Sequence, residues 1–356
     1  SELIRLRRAS CSGGRAHAKR GCRSGLVSAR SPYPFIRTIL VQVFMKRLLD
    51  FLWPAVGLIA VIFSGWLLYH EVRSLSASDI LASLSAIPAH RWILAGLSTF
   101  FAYGALAWYD RIALMHLNKP LGWGFISVVS FTTYALSHNI GASVFSGAAV
   151  RYRAYSTKGL NAAEIGVLVA LCSFTFLLGT VMLGGLVLIS EPELISRLFD
   201  VPVWPGRVLG FVFLGAVALY VLGSFLGFKP LTIGSFHLYY PRPAIVIRQL
   251  LAAPLELMGA AGIIYFALPV ADGVDFFSVL AAFLGSFSAA LLSHAPGGLG
   301  VLELVFLKAM PSLSTADVIA ALLVFRLFYL LMPLVFAVVV VLIFERQKLM
   351  QALKSL

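Results

Sequence analysis

Long apolar stretches separated by short charged segments fill the chain from residue 51 onward. Six of these stretches carry no charge or a single charge, and each is about 18 residues or longer, enough for a helix to cross a hydrocarbon core of roughly 30 Å. They are Phe51–Tyr69, Trp92–Tyr109, Ile165–Ser190, Val208–Phe228, Gln249–Ala271 and Val318–Phe344. The pattern predicts an all-α polytopic membrane protein with about six full transmembrane helices.

Two further apolar regions, 121–150 and 276–307, are interrupted by polar residues and glycine. The breaks, at Ser137–Gly141 and Ser293–Gly300, would leave backbone groups unsatisfied at membrane depth unless protein or a polar cavity contacts them. If both regions are single spans, nine Lys and Arg lie outside and seven inside, against the positive-inside rule. If both are re-entrant helical hairpins, eleven lie inside and five outside, with both termini in the cytoplasm. The charges favour hairpins, although residues 276–293 are long enough to span alone.

The two hairpins are predicted to be copies in an inverted repeat. The matching residues are Ala135-Leu136-Ser137-His138 with Gly141, and Leu291-Leu292-Ser293-His294 with Gly297. After each hairpin a helix cap opens a long span, Asn161 with Glu164 and Ser314 with Asp317. Three spans separate the hairpins, so the second copy is inverted, an arrangement that lines substrate paths near the midplane. Chance similarity between apolar segments is the alternative.

The expected divisions of the chain follow from these patterns. Repeat 1 covers about 92–190, a connector helix covers 208–228, and repeat 2 covers about 249–344, all within one membrane domain of residues 45–356. The first 44 residues hold nine Lys or Arg and one acidic residue. We interpret them as a basic extension, disordered or non-native, with a mitochondrial transit peptide as the alternative.

Composition narrows the function classes. With 60% hydrophobic and 12% charged residues, the chain is neither disordered nor water-soluble. The net charge of +13 lies in short runs between apolar stretches, which indicates membrane topology and not nucleic-acid binding. Three scattered cysteines predict no metal or redox site, and the sequence contains no ATP-binding loop, zinc-protease motif or serine-hydrolase motif. We therefore predict no catalytic residue, metal or cofactor.

Several short motifs together carry a family resemblance. They are Ser130–Asn139, Arg151–Ser156 with Gly159-Leu160, Pro296–Val301 with Glu303, and Arg326–Tyr329 with Pro333. Over about residues 45–345 the chain resembles the lysylphosphatidylglycerol synthase transmembrane-region family. That resemblance implies the lipid-flipping part of the multiple peptide resistance factor, or a stand-alone relative in the bacterial inner membrane. Because the chain stops at Leu356, the soluble aminoacyl-transferase domain of the larger enzymes is expected to be absent.

The first candidate site follows the first hairpin. Arg151 and Arg153, with Tyr155, are expected at the cytoplasmic interface, where guanidinium groups can grip a lipid phosphate with two hydrogen bonds each. An ordinary topology anchor is the alternative explanation.

The second candidate site is formed by the hairpin tips. His138 and Asn139 on one hairpin, and His294, Gly297 and Gly298 on the other, bring polar groups and bare backbone N–H groups to membrane depth. Tight packing between the hairpins is the alternative for the glycines, and a structural hydrogen bond is the alternative for each histidine.

The third candidate set consists of intramembrane charges. Glu256, Glu303 and Arg326 lie within apolar segments, where a charge is costly and normally paired or facing a cavity. With Tyr329 they complete the predicted headgroup pathway. The alternative is a structural ion pair between Arg326 and one of the two glutamates.

Two functions are compatible with these residues. The first is a translocase that moves anionic or aminoacylated phospholipid. The second is a membrane-embedded enzyme or accessory subunit for headgroup modification, with His138, His294 and Glu303 as acid–base groups. Phospholipids are the expected partners, with a second copy of the chain or a lipid-modifying enzyme as a further partner.

Overall fold

A computed structural model describes residues 77–140, 143–227, 231–233, 236–238, 241–269, 274–293 and 296–354. The predicted N-terminal extension, the predicted span Phe51–Tyr69 and the predicted site residue His294 lie outside these ranges. Within them the protein is helical apart from one small β-hairpin, as the apolar pattern predicts.

The described ranges contain twelve α-helices. They are α1 (Ala77–Ser85), α2 (Ala89–His116), α3 (Trp123–Ile140), α4 (Ser143–Tyr155), α5 (Ala162–Ser190), α6 (Glu193–Phe199), α7 (Trp204–Phe225), α8 (Pro243–Ala267), α9 (Phe276–Ser293), α10 (Val301–Ala309), α11 (Thr315–Phe325) and α12 (Met332–Lys354). Short 3₁₀ turns cover Ser156–Lys158 and Pro296–Gly298. A π-helical segment, Arg326–Leu331, joins α11 to α12 and is called the π segment from here on. Strands β1 (Leu231–Ile233) and β2 (Phe236–Leu238) are antiparallel, with Thr232 opposite His237.

Six helical stretches among the described residues are long and apolar enough to cross a membrane. Five are α2, α5, α7, α8 and the continuous stretch Thr315–Phe344, which coincide with predicted spans. The sixth is α9, the arm of the second predicted hairpin that is long enough to span alone. The protein is therefore a multi-pass membrane protein, while the re-entrant paths and the inverted repeat stay predictions.

Both predicted breaks separate helices that fold back on one another. In the first hairpin, α3 and α4, a Cβ added at Gly147 would lie 3.2 Å from the Thr133 methyl group. In the second hairpin, α9 and α10, a Cβ at Gly298 would lie 2.9 Å from the Ala290 Cβ. Helix α3 runs on to Ile140, beyond the predicted break at Ser137, whereas α9 ends at Ser293 as predicted.

The two predicted helix starts are confirmed. The Asn161 side chain accepts a hydrogen bond from the Glu164 N–H at 2.9 Å, and the Glu164 carboxylate accepts from the Asn161 N–H at 2.9 Å. The Ser314 hydroxyl accepts from the Asp317 N–H at 3.2 Å. These caps satisfy N–H groups that a helix start otherwise leaves without partners.

Small residues bring the central helices close together. Helices α2 and α8 pack side by side, and a Cβ at Gly259 would lie 2.9 Å from the Ala102 amide nitrogen. Helix α5 packs on α8, where a Cβ at Gly179 would lie 2.5 Å from the Ala253 Cβ. Close approach through small residues is the usual packing mode of membrane helices. It places the α2–α8 pair in the core, with α3, α5, α9 and α11 packed around it.

Candidate functional site

The long helical stretch Thr315–Phe344 is widened in its middle. Residues Arg326–Leu331 form the π segment, a local widening that is frequent at functional sites. The Tyr103 hydroxyl of α2 donates to the Tyr329 carbonyl at 2.9 Å, and the Asn139 amide of α3 donates to the Leu330 carbonyl at 3.1 Å. Side chains from two other helices therefore contact the backbone of the π segment.

The tip of the first hairpin rests on this segment. Besides contacting Leu330, the Asn139 amide donates to the Ala135 carbonyl within its own helix at 2.8 Å. The His138 ring stacks on the Tyr329 ring, with centroids 5.3 Å apart and planes 17° apart. Both residues that the sequence predicts at this tip thus contact the π segment.

The tip of the second hairpin reaches the same segment through Arg326. Its Nη1 donates to the Gly297 carbonyl at 3.0 Å, and its Nε donates to Glu303 Oε1 at 2.7 Å. Glu303 Oε2 accepts from the Gly300 N–H at 2.9 Å. Gly297 and Gly298 have φ of 60° and 66°, a conformation that other residues adopt only with strain. Between Glu256 and Glu303, the structure pairs Arg326 with Glu303.

Glu256 has different surroundings. It lies on α8 and is 1% exposed. The Tyr329 hydroxyl donates to its Oε1 at 2.5 Å. Its Oε2 has no hydrogen-bond partner within the described residues. The π segment therefore contacts both hairpin tips and also this buried carboxyl.

The expected exposure of Arg151 and Tyr155 is wrong. Arg151 is 4% exposed, and its guanidinium donates to both oxygens of Asp110, from Nη2 at 2.7 Å and from Nε at 3.3 Å. The Tyr155 hydroxyl donates to Asp110 at 2.8 Å, and the Cys172 thiol lies 3.4 Å from the same carboxylate. Asp110 fixes both side chains inside the protein, whereas Arg153 is exposed as expected.

One cavity of about 230 Å³ joins the two groups of residues. Among the residues that line it are His138, Arg151, Cys172 and Glu256. Three of the predicted site residues thus line one cavity, together with apolar residues such as Leu106 and Phe287. Ionisable groups inside membrane segments commonly mark a substrate or ion path.

Asp110, Tyr103 and Tyr134 were not among the residues predicted from the sequence. Asp110 directly follows the predicted span Trp92–Tyr109, where a charge is expected to end the apolar segment, yet α2 continues to His116. Each of the three lies within or directly after an apolar stretch, where a polar group is costly, and that position is the available sequence signal. Nothing in the sequence indicates that Tyr134 lies under Arg151, 4.8 Å from its guanidinium carbon.

Comparison with known proteins gives three informative relatives. An uncharacterized protein of Synechocystis is 29% identical over 281 residues, which is 79% of this chain and 87% of the relative. Inner membrane protein YbhN of Escherichia coli is 30% identical over 252 residues, 70% of this chain and 77% of the relative. Phosphatidylglycerol lysyltransferase of Staphylococcus haemolyticus is 26% identical over 306 residues, 83% of this chain and 34% of the relative. The chain therefore spans about a third of that lysyltransferase. No protein-family model matches the chain.

Proposed function

The chain belongs to the lysylphosphatidylglycerol synthase transmembrane-region family, and on that premise we propose that it is a phospholipid translocase of the bacterial inner membrane. In this proposal an anionic or aminoacylated headgroup crosses through the buried cavity while the acyl tails stay in lipid. Two relatives support the setting, one named as an inner membrane protein and the other as acting on phosphatidylglycerol. Because the chain spans about a third of the lysyltransferase, the transfer step is not part of the proposal.

The observation that carries the proposal is the contact of both hairpin tips with the π segment, beside a cavity that buried ionisable side chains line. Asn139 and Gly297, one from each tip, contact a segment of six residues, and Glu256 and His138 line the cavity beside it. In an apolar helix bundle, such groups are costly unless they contact a polar ligand or one another. A headgroup offers the charged and hydrogen-bonding partners that these groups need.

An apolar groove lies beside Tyr103. Its volume is about 570 Å³, and Phe131, Phe328 and Met332 are among its lining residues. Tyr103 lines this groove and also donates to the Tyr329 carbonyl. In the proposal the tails of a crossing lipid follow this apolar surface while the headgroup occupies the cavity that Glu256 and His138 line.

The proposed topology makes both hairpins re-entrant parts of an inverted repeat. It puts residues 151–164 in the cytoplasm, where Thr157 is exposed on the protein surface. A single cysteine at Thr157 is expected to react with an impermeant thiol reagent only after the cells are opened. Labelling in intact cells would contradict the cytoplasmic location and the hairpin topology.

Lipid movement in liposomes tests the function directly. The purified protein is reconstituted with trace fluorescent phosphatidylglycerol, lysyl-phosphatidylglycerol or phosphatidylcholine, and a membrane-impermeant quencher reports the lipid in the outer leaflet. We expect protein-dependent movement of the first two lipids and slower movement of phosphatidylcholine. Asn139→Ala should slow movement, because it frees the first hairpin tip from the π segment. Glu193→Gln, which changes an exposed pair with Arg197, is the matched control.

Two results would contradict the translocase. Lipid movement no faster than in protein-free liposomes would show that the protein does not translocate these lipids. Mass spectrometry of the recovered lipids gives the second readout, because a chemically altered headgroup would favour the enzyme alternative.

A further inference from the structure

Glu256 differs from the other two buried carboxylates at this junction. Asp110 and Glu303 each bind an arginine, at 2.7 Å from Arg151 Nη2 and at 2.7 Å from Arg326 Nε. Glu256 accepts a hydrogen bond from the Tyr329 hydroxyl and has the Tyr109 hydroxyl beside it, but it contacts no arginine, and its second oxygen has no hydrogen-bond partner in the described part of the chain. It is 1% exposed, so water does not supply the missing partner at the protein surface. A bare carboxylate in this position would be strongly disfavoured.

The groups around Glu256 do not supply a free cation. The titratable residues that line the cavity or lie near Glu256 are Tyr103, Tyr109, Tyr134, His138, Arg151, Cys172 and Tyr329, and the π segment also carries Arg326. Helix α9 carries no titratable residue. Both arginines are already bound to other carboxylates. Neutralisation of Glu256 therefore has to come from outside this set of contacts.

A second buried polar atom at the cavity, Nδ1 of His138, also lacks a hydrogen-bond partner in the described part of the chain. His138 and Glu256 both line the cavity. The His138 ring stacks on Tyr329, the residue whose hydroxyl contacts Glu256. A carboxyl group that carries a proton can donate a hydrogen bond, and a neutral imidazole nitrogen can accept one. The cavity thus combines a group that needs a proton with a group that can accept one.

We propose that Glu256 is a proton-binding site, and that the translocase exchanges this proton for the cationic amine of a lipid headgroup. When the cavity holds no headgroup, a proton on the carboxyl makes Glu256 neutral. When an ammonium group enters, the carboxyl O–H bond breaks, the proton leaves to water or through His138, and the carboxylate pairs with the ammonium. Each step replaces one positive charge by another, so the site never holds a bare carboxylate.

This exchange gives a physical basis for coupling. A proton and an ammonium group compete for one carboxylate, so binding of either one weakens binding of the other. A proton gradient would then bias the direction of headgroup movement. The inference rests on the proposed translocase function, but the proton site can be tested without transport.

The first experiment measures the proton site in the purified protein. Infrared difference spectra over a pH titration should show a protonated carboxyl band that is lost in Glu256→Gln and kept in Glu193→Gln. Gln keeps an oxygen that accepts from Tyr329, and equal thermal stability of the variant confirms that it is folded. An identical titration in the wild type and Glu256→Gln would overturn the proposal.

A second measurement needs no variant. Dicyclohexylcarbodiimide, an apolar reagent that modifies protonated carboxyl groups, is added to the reconstituted wild type, and peptides are mapped by mass spectrometry. Glu256 should be modified, and more at low pH, while the arginine-bound Asp110 and Glu303 are protected. Modification of those two with Glu256 untouched would overturn the proposal.

The coupling is tested in liposomes that hold a pH gradient and trace lysyl-phosphatidylglycerol. The gradient should change the rate of wild-type and Glu193→Gln lipid movement several-fold, and Glu256→Gln should lose this dependence. Lipid movement that ignores the gradient in all three proteins would overturn the exchange but leave the translocase. Absence of lipid movement, together with an intact carboxyl band, would overturn the translocase and with it the exchange, while leaving the proton-binding group.

Discussion

The two buried arginine pairs contact different parts of the fold. In the Arg151–Asp110 pair the side chains are 5% and 0% exposed, and the carboxylate also contacts Tyr155 and Cys172. In the Arg326–Glu303 pair they are 14% and 9% exposed. The first pair joins the regular helices α2 and α4, whereas the second joins the π segment to the first turn of α10, next to glycines that have positive φ.

This difference indicates that the first pair holds helices in place, whereas the second pair connects segments that can move. Every donor on Asp110 comes from a regular helix, so the first pair holds α2, α4 and α5 in one arrangement. The second pair connects the π segment to the glycine-rich turn before α10, through Gly297 and Gly300. A change in the winding of the π segment would therefore move the tip of the second hairpin. Conformational changes commonly use such short irregular segments as hinges.

The largest effect should come from breaking the first pair. Arg151→Met leaves Asp110 charged, buried and without its arginine, a loss of about 3–5 kcal/mol in the free energy of unfolding. Thermal unfolding in detergent measures this loss. Asp110→Asn combined with Arg151→Met should recover most of it, because the uncompensated charge is removed. If Arg151→Met is as stable as the wild type, the pair does not hold these helices in place.

Breaking the second pair should cost less stability. Arg326→Leu removes hydrogen bonds to Glu303 and Gly297, a loss of about 1.5–3 kcal/mol for bonds that involve a charged group near a cavity. Adding Glu303→Gln should restore folding, since no carboxylate is then left alone. The same protein should still fail to move lipid, because the hairpin tip has lost its link to the π segment. A double variant that regains both stability and transport would reduce Arg326 to a structural role.

The local features of this fold follow from the sequence because their causes are local. Five predicted spans are confirmed by helices that are long and apolar enough to cross a membrane. The caps at Asn161 and Ser314 are confirmed because each cap depends on residues three positions apart. The break near Gly297 is confirmed because glycine and proline end helices wherever they are packed.

The site itself depends on contacts between distant segments. Arg151 and Asp110 are 41 positions apart, and an apolar helix such as α5 has no polar face that orients it toward its neighbours. No local sequence pattern predicts the π segment either, because two of its carbonyls accept hydrogen bonds from Tyr103 and Asn139, which lie on other helices. The sequence thus predicted many of the polar residues and, as one alternative, an ion pair between Arg326 and one of two glutamates, but not the pairing of Arg151 with Asp110.

A glycine substitution sharpens the contrast at the second hairpin tip. Gly298 has φ of 66°, and an added Cβ would lie 2.9 Å from the Ala290 Cβ. Gly298→Ala should lower the free energy of unfolding by about 1–2 kcal/mol through the left-handed conformation, with the Ala290 contact adding to it. Gly166→Ala on α5 is the control, because nothing lies within 4 Å of its added Cβ. Equal melting temperatures for the two variants would show that the turn tolerates side chains.

The smallest effect on stability is expected at Arg153, two positions from the buried Arg151. Its side chain is exposed, and surface substitutions usually change the free energy of unfolding by no more than about 0.5 kcal/mol. Arg153→Gln should therefore keep the melting temperature of the wild type. If Arg153 grips the phosphate of an arriving lipid, this variant should slow the movement of phosphatidylglycerol, and Arg153→Lys should restore it only in part, since an ammonium lacks the two-pronged geometry of guanidinium. The deficit should also shrink at high salt, because exposed charges are screened. Unchanged transport in Arg153→Gln would leave this residue a topology anchor. Because Arg151 is buried, neither arginine of the predicted phosphate site would then bind the headgroup from the cytoplasmic surface.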